Sequence, residues 1–513
     1  MDASSSPRPA ESELVAELQR QLKWAHLKIQ LLEERLRLER IKKYGPASEK
    51  LGDAQLDLLD QEPGVSGTEV QAESEREPLA APAGPQRAAE RPPRQKHPGR
   101  QELPAGLPRR ERVISCAPEQ CTCKACGQAT AVIGYEVSEQ LDVEPAQYLV
   151  LVTKREKRAC PACGGNGVAA AAAPARIVEK SLASDRVVID TVVAKYSDHL
   201  PLYRKSAILE RETGVEISRA TMDGWVMRVG ALLTPMAAVM GRELRRGGYI
   251  QADETPVDVQ VHDGRGQNHQ AYLWQYGRPG GAAVFEFRMG RGREGPKEFL
   301  GTFAGLLQTD GYAAYDKVGG PGLVHAACWS HARRKFFDAL QLHPGDAAAT
   351  RVVVAMDDLF AIDAAARERG LDQAARHALR WERARPVLDI IKQRVEEASG
   401  KALPASALGR AAKYTLALWP RLTRFLEHPE LELSNNLAEN SMRPVALGRK
   451  NWIHLGSKDA GPKVAAILSI VETCRRLQIP TRAYLAAVLP GLADVPVSKL
   501  PELTPMAWAA RRQ

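Results

Sequence analysis

The stretch Tyr249–Gln260 (YIQADETPVDVQ) limits what this chain can fold into more than any other segment. Ile250 and Ala252, then Val257, Val259 and Val261, recur at period two, with one break at Thr255-Pro256, so the segment reads as a strand. A buried strand has no ordinary use for a carboxylate, because removing a charge from water is costly unless something pairs with it. Asp253 and Glu254 stand in the middle of this one. An edge strand carrying solvated acids is the competing reading of the pair taken alone.

Two later segments change that balance. Gly305–Tyr315 (GLLQTDGYAAY) leads in with a short apolar strand, ends it at Asp310 and turns at Gly311. Ser434–Lys450 (SNNLAENSMRPVALGRK) offers Asn435 or Asn436 as the cap of a helix that carries Glu439 in its first turn. Two acids at strand ends and a third from a helix start can converge on one point. There they repel one another unless a divalent cation sits between them. Oxygen-only ligation with open positions suits magnesium or manganese, and two such ions assist phosphoryl transfer.

DETP, TDGYAAY, HARRKF and NNLAENSMRPVALGRKNWIHLGS, taken together, resemble the transposases of the IS66 insertion-sequence family, and the resemblance covers nearly the whole chain. It implies a DDE transposase on a ribonuclease-H-like core, with Asp253, Asp310 and Glu439 as the magnesium-binding catalytic triad. It further implies DNA as partner and small accessory proteins encoded in the same element.

The 513 residues are 44% hydrophobic, enough for several domains and at least one large core. Lys and Arg number 71 against 62 acids, a net charge of +9 that favours an acidic polymer as partner. No apolar run reads as a membrane span and no signal peptide is evident, so a cytoplasmic protein without a membrane partner is expected. In that compartment eight cysteines are not expected to build a disulfide framework.

The cysteines instead fall into spacings that suit a metal. Cys123-x-x-Cys126-Gly and Cys160-x-x-Cys163-Gly are paired knuckles, and four thiolates make a closed, structural zinc site. Cys121 is an alternative ligand in the first knuckle. Cys328 and Cys474 read as buried apolar thiols. The resembled family has a zinc-binding domain at this place.

Upstream, Val15, Leu22, Ile29 and Leu36 recur every seven positions with Leu18, Ala25 and Leu32 between them, the a/d seam of a coiled coil and a route to a homo-oligomer. The next segment is rich in Pro, Ala, Glu, Gln and Arg and cannot bury a core. The expected organisation is therefore a coiled-coil helix at 1–44, a linker at 45–110 and a zinc-binding domain at 111–168. A helical region with a helix-turn-helix-like pattern (Gly214 to Ser218, then MDGWVMRVGALL) follows at 176–245.

The catalytic domain is read as multidomain α/β: a ribonuclease-H-like core at 246–340, an inserted helical subdomain at 341–430 and core completion at 431–513. Strands at 249–260, 271–277 and 282–289 form an antiparallel meander, a fourth ends at Asp310 and His325–Cys328 is a fifth. Trp381, Trp419 and Phe425 read as the insert's core. A core beginning near residue 240 is expected to keep its fold alone. His331, Arg333, Arg334 and Lys335 are candidate DNA contacts, although they spread around a helix and cannot all face the site. Arg443, Arg449 and Lys450 add positive charge beside Glu439. The leading function is cleavage at element ends followed by strand transfer. The alternatives are a nuclease without strand transfer and a DNA-binding regulator derived from such an enzyme.

Overall fold

The computed structural model describes residues 148–158, 169–261 and 266–511. The heptad seam, the linker and Cys123, Cys126, Cys160 and Cys163 lie outside the described residues. Residues 83–152 separate as a unit of their own, of which 148–152 are described as irregular chain. In the other unit, Lys157–Arg158 (β1) and Ala169–Ala170 (β2) pair as a short antiparallel ribbon.

Three helices lead to the main sheet: Asp185–Tyr196 (α1), Leu202–Thr213 (α2) and Arg219–Arg246 (α3). Gly214 takes a left-handed φ of 70° to end α2, and Ser218 Oγ accepts from Thr221 N (3.1 Å) to start α3. The 28-residue α3 has the length and composition of a membrane-crossing helix. Its apolar side, Trp225, Val226, Val229, Leu233, Met236 and Met240, is nevertheless buried in the protein core.

The sheet is built around Tyr249–Val259 (β3), which pairs on both sides. His269–Gly277 (β4) and Ala283–Arg288 (β5) continue antiparallel from one edge. Leu306–Thr309 (β6) and Val324–Ala327 (β7) continue parallel from the other, giving the order β5-β4-β3-β6-β7. His454–Leu455 (β8) pairs parallel with the far end of β3. The short helix Glu294–Leu300 (α4) joins the meander to β6. This is a mixed sheet in an α/β protein, with its five main strands close to the five stretches expected from sequence.

Trp329–Leu342 (α5) leaves β7. The helices Ala347–Glu368 (α6), Gln373–Leu379 (α7), Arg385–Lys401 (α8) and Ala407–Leu422 (α9) follow, and α6, α8 and α9 form a second apolar cluster with α5. A π-helical turn at Arg380–Ala384 joins α7 to α8. Of the three aromatics expected in this cluster, Phe425 is buried and Trp419 packs edge-on against Trp329 at 5.7 Å. Trp381 is 39% exposed and is no part of it.

The chain returns through Asn436–Trp452 (α10), Ala460–Arg476 (α11), Thr481–Val488 (α12) and Pro505–Ala510 (α13). Helix α11 covers the open edge of β5 with hydroxyls. Phe285 N donates to Ser469 Oγ (2.8 Å) and Ala283 N to Thr473 Oγ1 (3.0 Å), so that edge is not left to pair with another chain. Gly230 of α3 lets α11 come close, since a Cβ there would lie 2.6 Å from that of Lys463.

Candidate active site

The positions of the two aspartates follow from sheet register. Strands β3 and β6 are parallel with Gln251 level with Gln308, and Gln251 Nε2 donates to Gln308 Oε1 (2.9 Å). Side chains alternate along a strand, so Asp253 lies on the Gln251 side of β3, while Asp310 follows directly after the end of β6, two residues beyond Gln308. Gly311 then turns the chain at φ 92°, where a Cβ would meet Leu418 at 2.5 Å. Asp310 Oδ1 accepts from Tyr312 N (2.8 Å), holding the carboxylate at the turn, and Tyr414 of α9 donates its hydroxyl to the Asp310 carbonyl.

Glu439 arrives from the other side, in the first turn of α10. Asn435 occupies the N-cap position, but its side chain makes no capping bond. It reaches across to donate from Nδ2 to the Ala252 carbonyl (3.4 Å), tying the helix start to β3 beside Asp253. The preceding segment is fastened at two more points: Trp329 N donates to Leu433 O (2.8 Å) and Gln251 Nε2 to Ser434 O (3.0 Å). The helix start is thereby fixed to both β3 and the β7–α5 junction.

Burial, and then the negative charges of Glu439, Glu254 and Asp310, push the Asp253 carboxyl well above the ordinary carboxylate range. Glu254 points to the opposite face. There it takes two bonds from Arg291 (3.0 and 2.7 Å) and one from the Tyr315 hydroxyl (2.8 Å). Its carboxyl is also raised, by burial first, with those bonds opposing. Asp316 is paired to Arg421 at 2.7 Å.

The basic residues divide. His331 Nδ1 lies 3.5 Å from Glu439 Oε1 and Arg334 Nη1 lies 3.8 Å from Glu439 Oε2. Lys335 is exposed, with its ammonium 4.5 Å from the Tyr414 ring centre. Arg333 faces inward instead: it is 4% exposed and binds both oxygens of Asp357, at 2.5 and 3.2 Å, so it offers nothing to DNA. Arg449 donates to the Pro256 carbonyl, Arg443 is half-buried and Lys450 is exposed.

The three acids offer oxygen atoms, the donor type a hard divalent cation takes, and positive charge would relieve the repulsion at Asp253. Glu439 Oε1, Asn435 Oδ1 and Asn436 Oδ1 are buried and make no hydrogen bond among the described residues. Several contributors were not foreseen from sequence: the reach of Asn435 to the Ala252 carbonyl, the Gln251–Gln308 pair, Tyr414 and Cys328. Polar Gln251 inside an apolar strand was a visible signal. Nothing in the spacing announced that Cys328, His331 and Glu439 come together.

Comparison with known proteins places these elements in context. A profile described as "Transposase IS66 family" matches residues 180–463, which contain all three acids. One described as a zinc-finger binding domain of transposase IS66 matches 120–164, and one described as "Transposase C of IS166 homeodomain" matches 31–112. Among curated proteins, the uncharacterized protein y4qI of Sinorhizobium fredii is 33% identical, over 96% of this chain and 91% of its own length. The uncharacterized y4jD of the same organism is 33% identical over 80% of this chain and 82% of its own length. A third, y4hP, is 29% identical over 94% and 88%.

Proposed function

The chain belongs to the IS66 transposase family, and from that premise we propose that it is a DNA transposase that cuts phosphodiesters at element ends and joins them to target DNA. The observation that carries this reading is the parallel register of β3 and β6, with Asp253 and Asp310 each two residues beyond the Gln251–Gln308 pair, together with the tie from Asn435 to β3 that fixes the start of α10, whose first turn carries Glu439. On this reading the three are the catalytic triad. The antiparallel β5-β4-β3 meander followed by parallel β6 and β7 supports a ribonuclease-H-like core.

Asp253, Asp310 and Glu439 would hold magnesium or manganese, which lowers the charge of the scissile phosphate and of the attacking and leaving oxygens. The rest belongs to this chain's own side chains. Arg334, Lys335, Arg443, Arg449 and Lys450 supply positive charge for the phosphate backbone, and the His331 ring offers a hydrogen bond beside them. Asn435 and the Gln251–Gln308 pair hold the acids in register, so that little reorganisation is needed when substrate arrives. In the first step a water oxygen bonds to phosphorus and the P–O3′ bond breaks, leaving a 3′-hydroxyl and a 5′-phosphate. In the second that 3′-oxygen attacks a target phosphorus and loses its proton to solvent. The displaced target 3′-oxygen takes up a proton.

The exposed first turn of α3 (Arg219, Ala220, Thr221, Asp223) is proposed to contact end-sequence DNA. Cys123, Cys126, Cys160 and Cys163 lie within the zinc-finger match and are the proposed ligands of a structural zinc. The heptad seam is proposed to bring two chains together.

The test is cleavage of labelled element ends in magnesium, with DNA binding followed in parallel in calcium. Asp253→Asn, Asp310→Asn and Glu439→Gln should each lower cleavage by about 100- to 1000-fold, the scale of losing one pre-set electrostatic stabiliser. Their losses should not add, and binding should persist. Glu254→Gln should cleave normally per folded molecule. Full cleavage by any triad variant sinks the assignment. Products joined to a plasmid target separate a transposase from a nuclease, and an inert wild type with intact binding would favour the regulator.

A further inference from the structure

We propose that Cys328, His331 and Glu439 form a thiolate-containing site for a thiophilic ion such as zinc, and that filling it withdraws Glu439 from the magnesium-dependent centre. The consequence for Glu439 rests on the function proposed above; the site itself rests on geometry. Cys328 precedes α5, His331 lies in its first turn, and Glu439 faces both from α10. One ligand atom from each lies within 4.8 Å of the other two, and His331 Nδ1 is 3.5 Å from Glu439 Oε1. Tetrahedral zinc with bonds of about 2.0–2.3 Å sets its ligands about 3.3–3.8 Å apart, so the imidazole–carboxylate pair already stands at ligand spacing.

Two further features point to a cation. His331 Nδ1 and Glu439 Oε1 are both buried atoms that make no hydrogen bond among the described residues. Asn435 N donates to Cys328 Sγ (3.5 Å), the kind of outer bond that steadies a ligating sulfur. A thiolate, an imidazole and a carboxylate together select zinc or cobalt rather than magnesium, which takes oxygen ligands. His331 and Glu439 are partly exposed and give the ion its way in, while water completes the tetrahedron. On binding, the Cys328 thiol releases its proton to solvent and no electrons change hands. Excess zinc is then an inhibitor that works by capturing one acid of the triad.

The experiment uses the full chain with its four-cysteine site loaded with zinc, titrated with cobalt. The readout is the near-ultraviolet thiolate-to-cobalt absorption. The wild type should develop this band with one equivalent. Cys328→Ala should lose it, His331→Gln should weaken cobalt binding by about tenfold or more, and Asp253→Asn should keep it. His331 is a partly exposed side chain, so the second variant remains informative should the buried Cys328 prove intolerant. An equal band in wild type and Cys328→Ala, or no band at all, overturns the site. The band needs no DNA, so it decides the site whether or not the chain cleaves. In the cleavage assay, one further equivalent of zinc should arrest the wild type. Cys328→Ala should require about tenfold more, and equal sensitivity of the two would overturn the capture of Glu439.

Discussion

A carboxylate inside a central strand weakens a fold unless positive charge answers it, and Asp253 has Glu439, Glu254 and Asp310 for neighbours. Because its folded pKa is raised, the penalty is absent below the ordinary value of 3.8. It grows as pH rises from there towards the folded value and is complete above it. Asp253→Asn cannot ionise and keeps an oxygen to accept the bond that Glu254 N gives to Oδ1 (2.9 Å). In chelator at neutral pH this variant should therefore melt higher than wild type, and the gain should vanish in acid below 3.8. Magnesium or manganese should raise the wild-type Tm and leave the variant's unmoved. A variant that melts lower at neutral pH, or still responds to the ion, removes Asp253 from the site. At this scale the sequence was informative where one strand or one turn decides the outcome: Asp253 lies within a strand and Asp310 at the end of one. It was silent on Cys328 beside Glu439, because that contact depends on how two distant helix starts are docked.

Among elements, the strands were legible because alternation and glycine turns are local signals. The inserted helices were legible as helices but not in their facing. The π turn at Arg380–Ala384 adds a residue to one turn, which carries Arg380 inward and leaves Trp381 at the surface. Arg380 is 1% exposed; it binds Asp363 at 2.7 Å and the carbonyls of Phe425 (3.1 Å), Pro429 (3.2 Å) and Leu431 (2.8 Å). It thus grips the segment that leads to Glu439, while Gln308 Nε2 grips the Glu432 carbonyl from the sheet side at 2.7 Å. Burial alone would raise the Asp363 carboxyl, but Arg380, Arg376 and Arg367 outweigh it and hold it well below the usual range. That contribution is fully present above 3.8 and is lost only as pH falls through the lower folded value. Arg380→Met strands three carbonyls and part of a buried carboxylate, a loss of about 3 kcal/mol in urea unfolding. Arg380→Lys should not restore it, because one ammonium cannot replace a planar fork of donors. Near-wild-type stability in both variants would mean that the grip is dispensable.

For the whole molecule, the question is where the sheet's core begins in the chain. A reading from motifs starts it near residue 240, because the first acid-bearing strand begins at Tyr249 and the helices before it look like a separate DNA-binding unit. Packing argues for an earlier start. Met222, Trp225, Val226, Val229, Leu233, Met236, Val239 and Met240 of α3 share one apolar cluster with Val257, Leu273, Trp274 and Ile467. Hydrophobic spacing shows that a helix has a buried face, but not which neighbour buries it, and α3 buries its face against the central sheet and α11. Removing those side chains withdraws about 1.5–3 kcal/mol each. Their sum reaches or exceeds the about 5–15 kcal/mol by which a whole domain is stable. A chain of residues 176–513 should therefore unfold cooperatively in urea, whereas residues 240–513 should be molten, with exposed apolar surface that binds a hydrophobic dye. Cooperative unfolding of 240–513 would show that α3 is an appendage to the core, and a molten 176–513 would show that the core needs residues earlier still.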